Sequence, residues 1–130
     1  MKKQLGDKEY MVKKHTTVNK RVCLALDLKN DQESQAKYKW HHLPENVWKE
    51  INEGIKASGV KVMDIYNIDM RMYMICEVDA EADFDTIWNE MGTYPRQSEW
   101  AELMANFQQA LPGHKLEWLK MERVFSLENA

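Results

Sequence analysis

The segment Lys37–Trp48 (KYKWHHLPENVW) contains several side chains that can transfer protons. It places a tyrosine, two histidines and two tryptophans on a predicted helix around Pro44. Because residues three and four apart share a helix face, Tyr38 is expected beside His41 and His42. A phenol and an imidazole on one face can form an acid–base site. A polar helix flank with an incidental histidine pair explains the same residues, and taken alone they favour that interpretation.

Other kinds of site find less support. His41 and His42 are adjacent and diverge by about 100° around a helix, whereas two metal ligands on one helix stand three or four residues apart. His15 is interpreted as a surface residue, and His114 beside Gly113 has no obvious ligand partner. Phosphate-loop and nucleophile-elbow motifs do not occur. The sequence therefore predicts no metal site and leaves acid–base chemistry by histidine, tyrosine and carboxylates.

Two carboxylates interrupt predicted strands that are otherwise apolar. Glu77 and Glu122 are unexpected there unless they are paired or face a pocket. A salt bridge with Arg71 or Arg123 is one explanation, and hydrogen bonding to a polar ligand is the other. For Glu77 the pocket is slightly favoured, and for Glu122 the choice stays open.

The length, charge and composition of the chain are typical of one soluble domain. The 130 residues carry a net charge of −3 from 18 basic and 21 acidic side chains that are scattered along the chain, which argues against a nucleic-acid surface. Cys23 and Cys76 lie in apolar segments and are interpreted as buried, reduced thiols. No segment is apolar enough to span a membrane or to serve as a signal peptide. We therefore expect a cytoplasmic protein without nucleic-acid or membrane partners.

Hydrophobic periodicity predicts where these residues lie. Residues 1–19 are rich in lysine and are interpreted as a flexible or loosely docked arm, and residues 20–130 form the domain. Alternation through Leu28 predicts the first strand. A helical crossover follows from Asp31 to Ser58, with Asp31 as a candidate cap and Pro44 at the start of its second helix.

The second half of the chain is predicted to contain three strands and another helix pair. Two strands, Val60–Ile68 and Met70–Val78, are followed by a helix capped near Asp83. Another helix begins near Pro95 and carries an apolar stripe that extends from Trp100 to Leu111. Residues 118–127 are predicted as the last strand.

The resulting order, β-αα-β-β-αα-β, is that of an α+β, ferredoxin-like split βαβ fold with a four-stranded antiparallel sheet. Helices cover one face of such a sheet. The strand at 70–78 is apolar on both faces, so something must cover the second one. A second copy of the chain does this most simply, which predicts a homodimer in which the two sheets form a dimeric α/β barrel.

From Lys20 to Leu127 the chain resembles the L-rhamnose mutarotase family, and most closely its branch of L-fucose mutarotase-like proteins. The matching segments are KRVCLALDLKND, YKWHHLPENVWKEINEGIKASG, MDIY, MYMICEVD, RQSEWAELMANFQ and MERVF. The family fold is a dimeric α/β barrel, in agreement with the two-faced sheet.

The resemblance also implies residue roles. The family's active-site histidine lies four residues after a substrate-binding tyrosine and two before a proline, positions that His42, Tyr38 and Pro44 occupy here. Its sugar-binding tryptophan matches Trp100, although core packing explains Trp100 about as well. Where the rhamnose enzymes carry a strand tyrosine and a second tryptophan, this chain has Met63 and Ala101. These departures favour L-fucose over L-rhamnose.

Anomer interconversion fits these residues chemically. It needs a proton removed from the C1 hydroxyl and one delivered to the ring oxygen, which a single group titrating near neutrality, such as His42, can do in turn without a cofactor. We expect His42 and Tyr38 to be catalytic, and Tyr38, Glu77 and Trp100 to bind the sugar. Two alternatives on the same fold are a cofactorless monooxygenase or haem-degrading protein, and a non-enzymatic ligand-binding dimer.

Overall fold

A computed structural model describes residues 7–12 and 18–127 of the chain. Its strands are β1 (Tyr10–Val12), β2 (Asn19–Leu28), β3 (Val62–Ile68), β4 (Arg71–Asp79), β5 (Gln108–Gln109) and β6 (Leu119–Lys120). Its helices are α1 (Gln32–His41), α2 (Lys49–Ser58), α3 (Phe84–Met91) and α4 (Gln97–Ala105). The predicted α+β class and the order of strands and helix pairs are confirmed, with β1 and β5 as additions.

The sheet is antiparallel and has β2 and β4 at its centre. Its strand order is β1-β2-β4-β3, and β5 and β6 also pair with β2. Leu24 lies opposite Met74, and Cys76 lies opposite Met63, so these four side chains share one face. Within the described residues the sheet is open and does not close into a barrel.

The helices cover this face in two groups. Phe84 and Ile87 of α3 pack in one cluster with strand residues such as Val22 and Val78. A second cluster gathers Tyr38, Met104 and Phe107 on the strand residues Leu26, Leu28 and Met72. The proposed chemistry of the Lys37–Trp48 segment therefore belongs to the helix-covered side of the sheet.

The ends of the first helix pair follow local capping rules. The Asp31 carboxylate accepts a hydrogen bond from the Ser34 backbone N–H at 2.7 Å, which confirms Asp31 as the N-cap of α1. Gly59 ends α2 in the left-handed conformation at φ 106°. The prediction that Pro44 begins the second helix was wrong. Residues 43–47 form turns held to the end of α1, with Asn46 Nδ2 donating to the Trp40 carbonyl at 2.9 Å.

The last helix is shorter than predicted. It ends at Ala105 rather than near Leu111, because Asn106 Nδ2 donates to the Leu103 carbonyl at 3.1 Å and satisfies a carbonyl of the last turn. The Phe107 carbonyl then accepts the Lys29 N–H at 2.8 Å. This contact directs the chain into β5 along the edge of β2.

The predicted strand at residues 118–127 is also shorter. Only Leu119 and Lys120 form β6, opposite Leu24 and Ala25 of β2. One more contact continues the path, from the Met121 N–H to the Cys23 carbonyl at 2.7 Å. Beyond that point β1 already occupies the edge of β2 from Asn19 to Arg21, so the C-terminal segment leaves the sheet.

Part of the predicted arm is docked on this edge. Tyr10–Val12 form β1, and the Tyr10 hydroxyl accepts the Arg123 backbone N–H at 2.6 Å. Glu9 is buried in an ion pair with Lys20. His15 lies outside the described residues. None of the helices in residues 7–12 and 18–127 has the length and apolar character needed to cross a bilayer.

Candidate active site

A cavity of about 1050 Å³ lies between the helices and the covered face of the sheet. Its volume reaches the upper end of the roughly 300–1,000 Å³ common for small-molecule sites. The sheet contributes an apolar wall of Leu26, Met63, Ile65 and Met74. Three of the four residues predicted to form the site, Tyr38, His42 and Trp100, line this cavity.

His42 is the C-cap of α1, and the helix end fixes its ring. Its backbone N–H donates to the Lys39 carbonyl at 3.1 Å, so the Tyr38 carbonyl, its regular helical acceptor, is left for another donor. His42 Nδ1 lies 2.7 Å from this carbonyl oxygen. Because a carbonyl only accepts, Nδ1 carries the proton, and Nε2 keeps its lone pair. Nε2 has no hydrogen bond to the described residues.

The surroundings of His42 favour the neutral imidazole. Burial lowers the pKa of His42, the hydrogen bond to the Tyr38 carbonyl raises it in part, and the nearby His41 lowers it again. The net shift is downward from 6.5. At neutral pH the ring is therefore uncharged, with a free lone pair, which is the form that a general base requires.

Tyr38 is a buried hydroxyl donor in this cavity. Its ring stacks on His42 with centroids 4.2 Å apart and an angle of 30°. Burial raises the pKa of Tyr38 far above its usual value of 10, and a hydrogen bond with the Gln108 side chain opposes this shift only in part. Tyr38 consequently keeps its proton at neutral pH and can donate a hydrogen bond, but it is a poor base.

Trp100 forms the aromatic side of the site. Its ring meets His42 edge-on at 5.3 Å and Trp48 at 5.1 Å. The Arg96 guanidinium lies 3.9 Å over the Trp48 ring, an attractive cation–π geometry. Trp100 therefore lines the cavity in contact with both His42 and Trp48, and Arg96 packs on Trp48.

Comparison with known proteins identifies the family of the chain. The family model described as L-rhamnose mutarotase matches residues 21–127. The chain belongs to the L-rhamnose mutarotase family. It is accordingly an isomerase that acts on carbohydrates, as the sequence predicted.

Individual relatives cover most of the chain. An L-fucose mutarotase of Xanthomonas campestris is 31% identical over 112 residues, which is 85% of this chain and 90% of the relative. A UPF0734 protein of Dictyostelium discoideum is 37% identical over 117 residues, 84% of this chain and 90% of that protein. The crystal structure of an L-rhamnose mutarotase from Formosa agariphila superposes with a TM-score of 0.60 at 19% identity. It covers 82% of this chain and 97% of its own, and shows a shared fold.

Glu77, the fourth residue predicted for the site, does not line the cavity with the other three. It projects from the opposite face of the sheet, where its carboxylate lies 3.0 Å from Arg21 Nη2 and 3.4 Å from Asn19 Nδ2. The structure therefore places Glu77 in an ion pair, with Arg21 as the partner instead of the Arg71 that the sequence offered.

Two further predicted features lie away from the cavity. His41 does not line the cavity; its ring stacks on Phe107 with centroids 5.6 Å apart and meets Trp100 edge-on at 6.2 Å. Glu122 is exposed in the C-terminal segment. The sequence missed Gln108, which lines the cavity. The strand position of Gln108 was not recognised, because the apolar stripe extends the predicted helix over residues 106–111.

The part of the chain that the structure describes contains no cluster of metal ligands and no reactive thiol. No group of three or more histidine, cysteine or acidic side chains converges there. Cys23 and Cys76 are both free thiols. Burial raises the pKa of Cys76 to about 12, and burial also raises that of Cys23, so both thiols stay protonated and are weak nucleophiles.

Proposed function

We propose that this protein is an aldose 1-epimerase that interconverts the α and β anomers of a 6-deoxyhexose, with L-fucose preferred over L-rhamnose and His42 as the proton-transferring group. The observation that carries the proposal is the 2.7 Å contact between His42 Nδ1 and the Tyr38 carbonyl. It leaves a neutral ring with a free Nε2 in a cavity that also offers an aromatic wall.

The reaction requires one proton to leave and return. Nε2 of His42 takes the proton of the C1 hydroxyl while the bond between C1 and the ring oxygen breaks, and the bond electrons stay on the ring oxygen. Protonated Nε2 then gives this proton to the ring oxygen, which yields the open-chain aldehyde. After rotation about the C1–C2 bond, the same steps in reverse close the ring as the other anomer. General acid–base catalysis of this kind contributes roughly 10²–10⁴-fold.

Tyr38 and Trp100 act on the sugar in different ways. Because Tyr38 keeps its proton, its hydroxyl donates a hydrogen bond to the ring oxygen as negative charge develops there. Trp100 offers an apolar indole beside His42, suited to the C6 methyl face of a deoxy sugar. Glu77 has no part in this mechanism because Arg21 and Asn19 engage its carboxylate on the other face.

The preference for L-fucose rests on two wall residues. Met63 and Ala101 stand where the rhamnose enzymes carry aromatic residues, and both line the cavity. Ala101 is smaller than a tryptophan and leaves more room in this part of the cavity. Similarity to an L-fucose mutarotase at 31% identity supports the same preference.

Saturation-transfer NMR tests the activity directly. The anomeric proton of one anomer is saturated, and the loss of signal in the other anomer is measured with and without protein. We expect transfer on L-fucose to exceed transfer on L-rhamnose at equal concentrations. No transfer above buffer on either sugar would reject the mutarotase proposal, and sugar binding without exchange would favour the ligand-binding alternative. Oxygen consumption, measured in parallel, would favour the monooxygenase.

The homodimer belongs to the same proposal. On the uncovered face of the sheet, Tyr66 and Ile68 are 57% and 63% exposed. In the C-terminal segment, Val124 and Phe125 are 90% and 70% exposed, since β1 keeps this segment from its own sheet. A second copy would bury both surfaces by a self-complementary contact. Sedimentation velocity at micromolar concentration should give a dimer, and a folded monomer would contradict it.

A further inference from the structure

Gln97 is a buried polar side chain that lines the cavity but has no part in the mechanism described above. It is the first residue of α4 and is only 8% exposed, and its backbone N–H donates to the Tyr94 carbonyl at 3.1 Å. Its side-chain nitrogen Nε2 donates to the Ile51 carbonyl at 3.1 Å, with the Glu50 carbonyl oxygen at 3.5 Å. Gln97 therefore joins the start of α4 to backbone groups of α2.

These two carbonyls decide which way the amide of Gln97 faces. A backbone carbonyl oxygen only accepts hydrogen bonds, so the amide nitrogen lies toward α2 and the amide oxygen Oε1 points away from it. Oε1 forms no hydrogen bond with any residue that the structure describes, yet it is not sealed from solvent. Because Gln97 lines the cavity, Oε1 opens into it as an acceptor without a protein partner among the described residues.

A gap in α2 makes this arrangement possible. Gly54 has no Cβ, and a Cβ at this position would lie 2.5 Å from Gln97 Nε2 and 3.2 Å from the Cβ of Tyr94. A side chain at position 54 would therefore push the amide of Gln97 away from the Ile51 carbonyl. Glycine within a helix is less favourable than alanine, and the close approach of Gln97 gives a physical reason for glycine here.

The face of α4 around Gln97 is also open. Ala101 follows Gln97 by four residues, so the two lie on the same face of the helix. Helical side chains lean toward the preceding turn, so a large side chain at position 101 would cover the amide of Gln97. Ala101 lines the cavity and is itself exposed. Its small methyl group leaves Oε1 of Gln97 accessible to a ligand.

We propose that Gln97 is a substrate-binding residue, whose Oε1 accepts a hydrogen bond from a hydroxyl group of the sugar while Nε2 is held by α2. This inference rests on the mutarotase function proposed above and deepens it. Oε1 needs a donor, and the ring oxygen of the sugar has no proton. The C1 hydroxyl gives its proton to His42. The hydroxyl groups on C2, C3 and C4 remain as the donors that Gln97 can bind.

These three hydroxyl groups do not react, so their contacts are the same before and during the chemical step. Loss of the contact should therefore raise KM for anomer exchange and leave kcat nearly unchanged. The net strength of one neutral hydrogen bond corresponds to an increase in KM of roughly three- to tenfold.

Gln97→Met tests the contact, because methionine keeps the length of the side chain and has no amide. KM and kcat are measured on L-fucose and on its 2-deoxy, 3-deoxy and 4-deoxy analogues. The variant should raise KM on L-fucose. On the analogue that lacks the hydroxyl bound by Gln97, it should cause no further rise, because that bond is already missing. Gln109→Met is the matched control, since Gln109 is exposed and does not line the cavity.

Gly54→Ala tests whether the gap in α2 orients the amide. It should raise KM on L-fucose in the natural protein but have little further effect in the Gln97→Met protein, since both changes remove the same contact. Ala101→Leu covers Oε1 and leaves the bonds of Nε2 to α2 in place, so it should give the same analogue-specific rise in KM even if Gln97→Met does not fold. Thermal unfolding of each variant identifies any loss of fold.

The outcomes distinguish the two proposals. If the natural protein exchanges anomers and a folded Gln97→Met variant has the KM of Gln109→Met, the role of Gln97 is refuted and the mutarotase function stands. An equal rise in KM on L-fucose and all three analogues, in Gln97→Met or in Ala101→Leu, also refutes it. Additive effects of Gly54→Ala and Gln97→Met refute the orientation by α2. If the natural protein shows no exchange on L-fucose or L-rhamnose, both proposals fall. A rise in KM that vanishes on one analogue supports them.

Discussion

One face of the sheet supports the cavity that holds His42, whereas the opposite face holds two buried carboxylates that are each paired with an arginine. On the opposite face Asp27 is bound by Arg71, and Glu77 by Arg21. On the cavity face, His42 bonds a backbone carbonyl through one nitrogen and has the other free of protein partners among the described residues. Among the described residues, the buried carboxylates Asp27 and Glu77 of the opposite face are bound by arginines, whereas Nε2 of His42 on the cavity face has no hydrogen bond. The comparison teaches that burial of a polar group indicates a reactive site only when part of its bonding capacity is left over.

The largest expected effect comes from the free acceptor itself. His42→Gln keeps a polar side chain of similar size but has no titrating nitrogen, so catalysed anomer exchange should fall by roughly 10²-fold or more. Thermal stability should change little, because the ring is only partly buried. Saturation-transfer NMR on L-fucose measures the loss.

His41→Gln is the matched control for this change. His41 is one residue away, stacks on Phe107 and does not line the cavity, so its variant should keep most of the exchange activity. A folded His42→Gln protein with near-natural exchange would contradict the mechanism, and equal losses in both variants would point to a general perturbation of α1.

The opposite face should respond through stability rather than activity. Arg21→Met leaves the buried Glu77 carboxylate with Asn19 as its remaining bonded partner, so the free energy of unfolding should drop by about 1–3 kcal/mol. The double variant Arg21→Met with Glu77→Met removes both charges and should recover part of the loss. Chemical denaturation measures both, with the oligomeric state determined alongside.

The kcat of the Arg21→Met protein should stay within about twofold of the natural value, since an ion pair on the far side of the sheet does not act on the cavity residues. A large loss of kcat in a stable Arg21→Met protein would mean that the two faces are coupled, and the division drawn between them would not hold.

A smaller effect is expected at the aromatic wall. Trp100→Leu removes the indole beside His42, and loss of an aromatic contact worth about 0.5–1.5 kcal/mol should raise KM for L-fucose by up to about tenfold. Trp48→Leu is the control, since Trp48 supports Trp100 without lining the cavity and should change KM less. If both variants raise KM equally, support of Trp100 rather than contact with sugar would explain the effect.

The sequence predicted the elements of the cavity face well because their signals are local. The spacing of Tyr38 and His42 on one helix, the Asp31 cap and the period-two strands all depend on neighbours within a few residues. The ends of α4 and of the last strand depended on contacts between distant segments. Phe107 turns because Lys29 binds its carbonyl, and β6 stops because β1 occupies the edge of β2.

The placement of Glu77 shows a different limit. Strand alternation sets Glu77 on the face of Tyr73 and Ile75, opposite Met74 and Cys76, but the sequence alone did not say which face the helices would cover. That choice is made by packing of the helices on the sheet, as is the distance from Glu77 to Arg21. Gln108 was hidden for a related reason, since its orientation depends on a strand pairing that no local pattern indicated.

The smallest expected effect is the pH dependence that distinguishes His42 from the paired groups. Because burial lowers the pKa of His42 below 6.5, the neutral base still predominates at pH 6.5, and the midpoint of the fall in catalysed exchange should lie below pH 6.5. The same lowered pKa also affects stability. As the pH falls, His42 of the unfolded chain binds its proton before His42 of the folded protein does. The stabilisation linked to neutral His42 is therefore full above pH 6.5 and is lost as the pH falls from 6.5 through the folded-state pKa. The difference in unfolding free energy between the natural protein and His42→Gln, measured from pH 8 to 5, isolates this contribution from those of the carboxylates, which both proteins share. It should be modest because one group titrates. An activity midpoint above pH 6.5, or a stability difference that grows in favour of the natural protein as the pH falls, would mean that folding raises the pKa of His42, and the neutral ring inferred from its burial would be refuted.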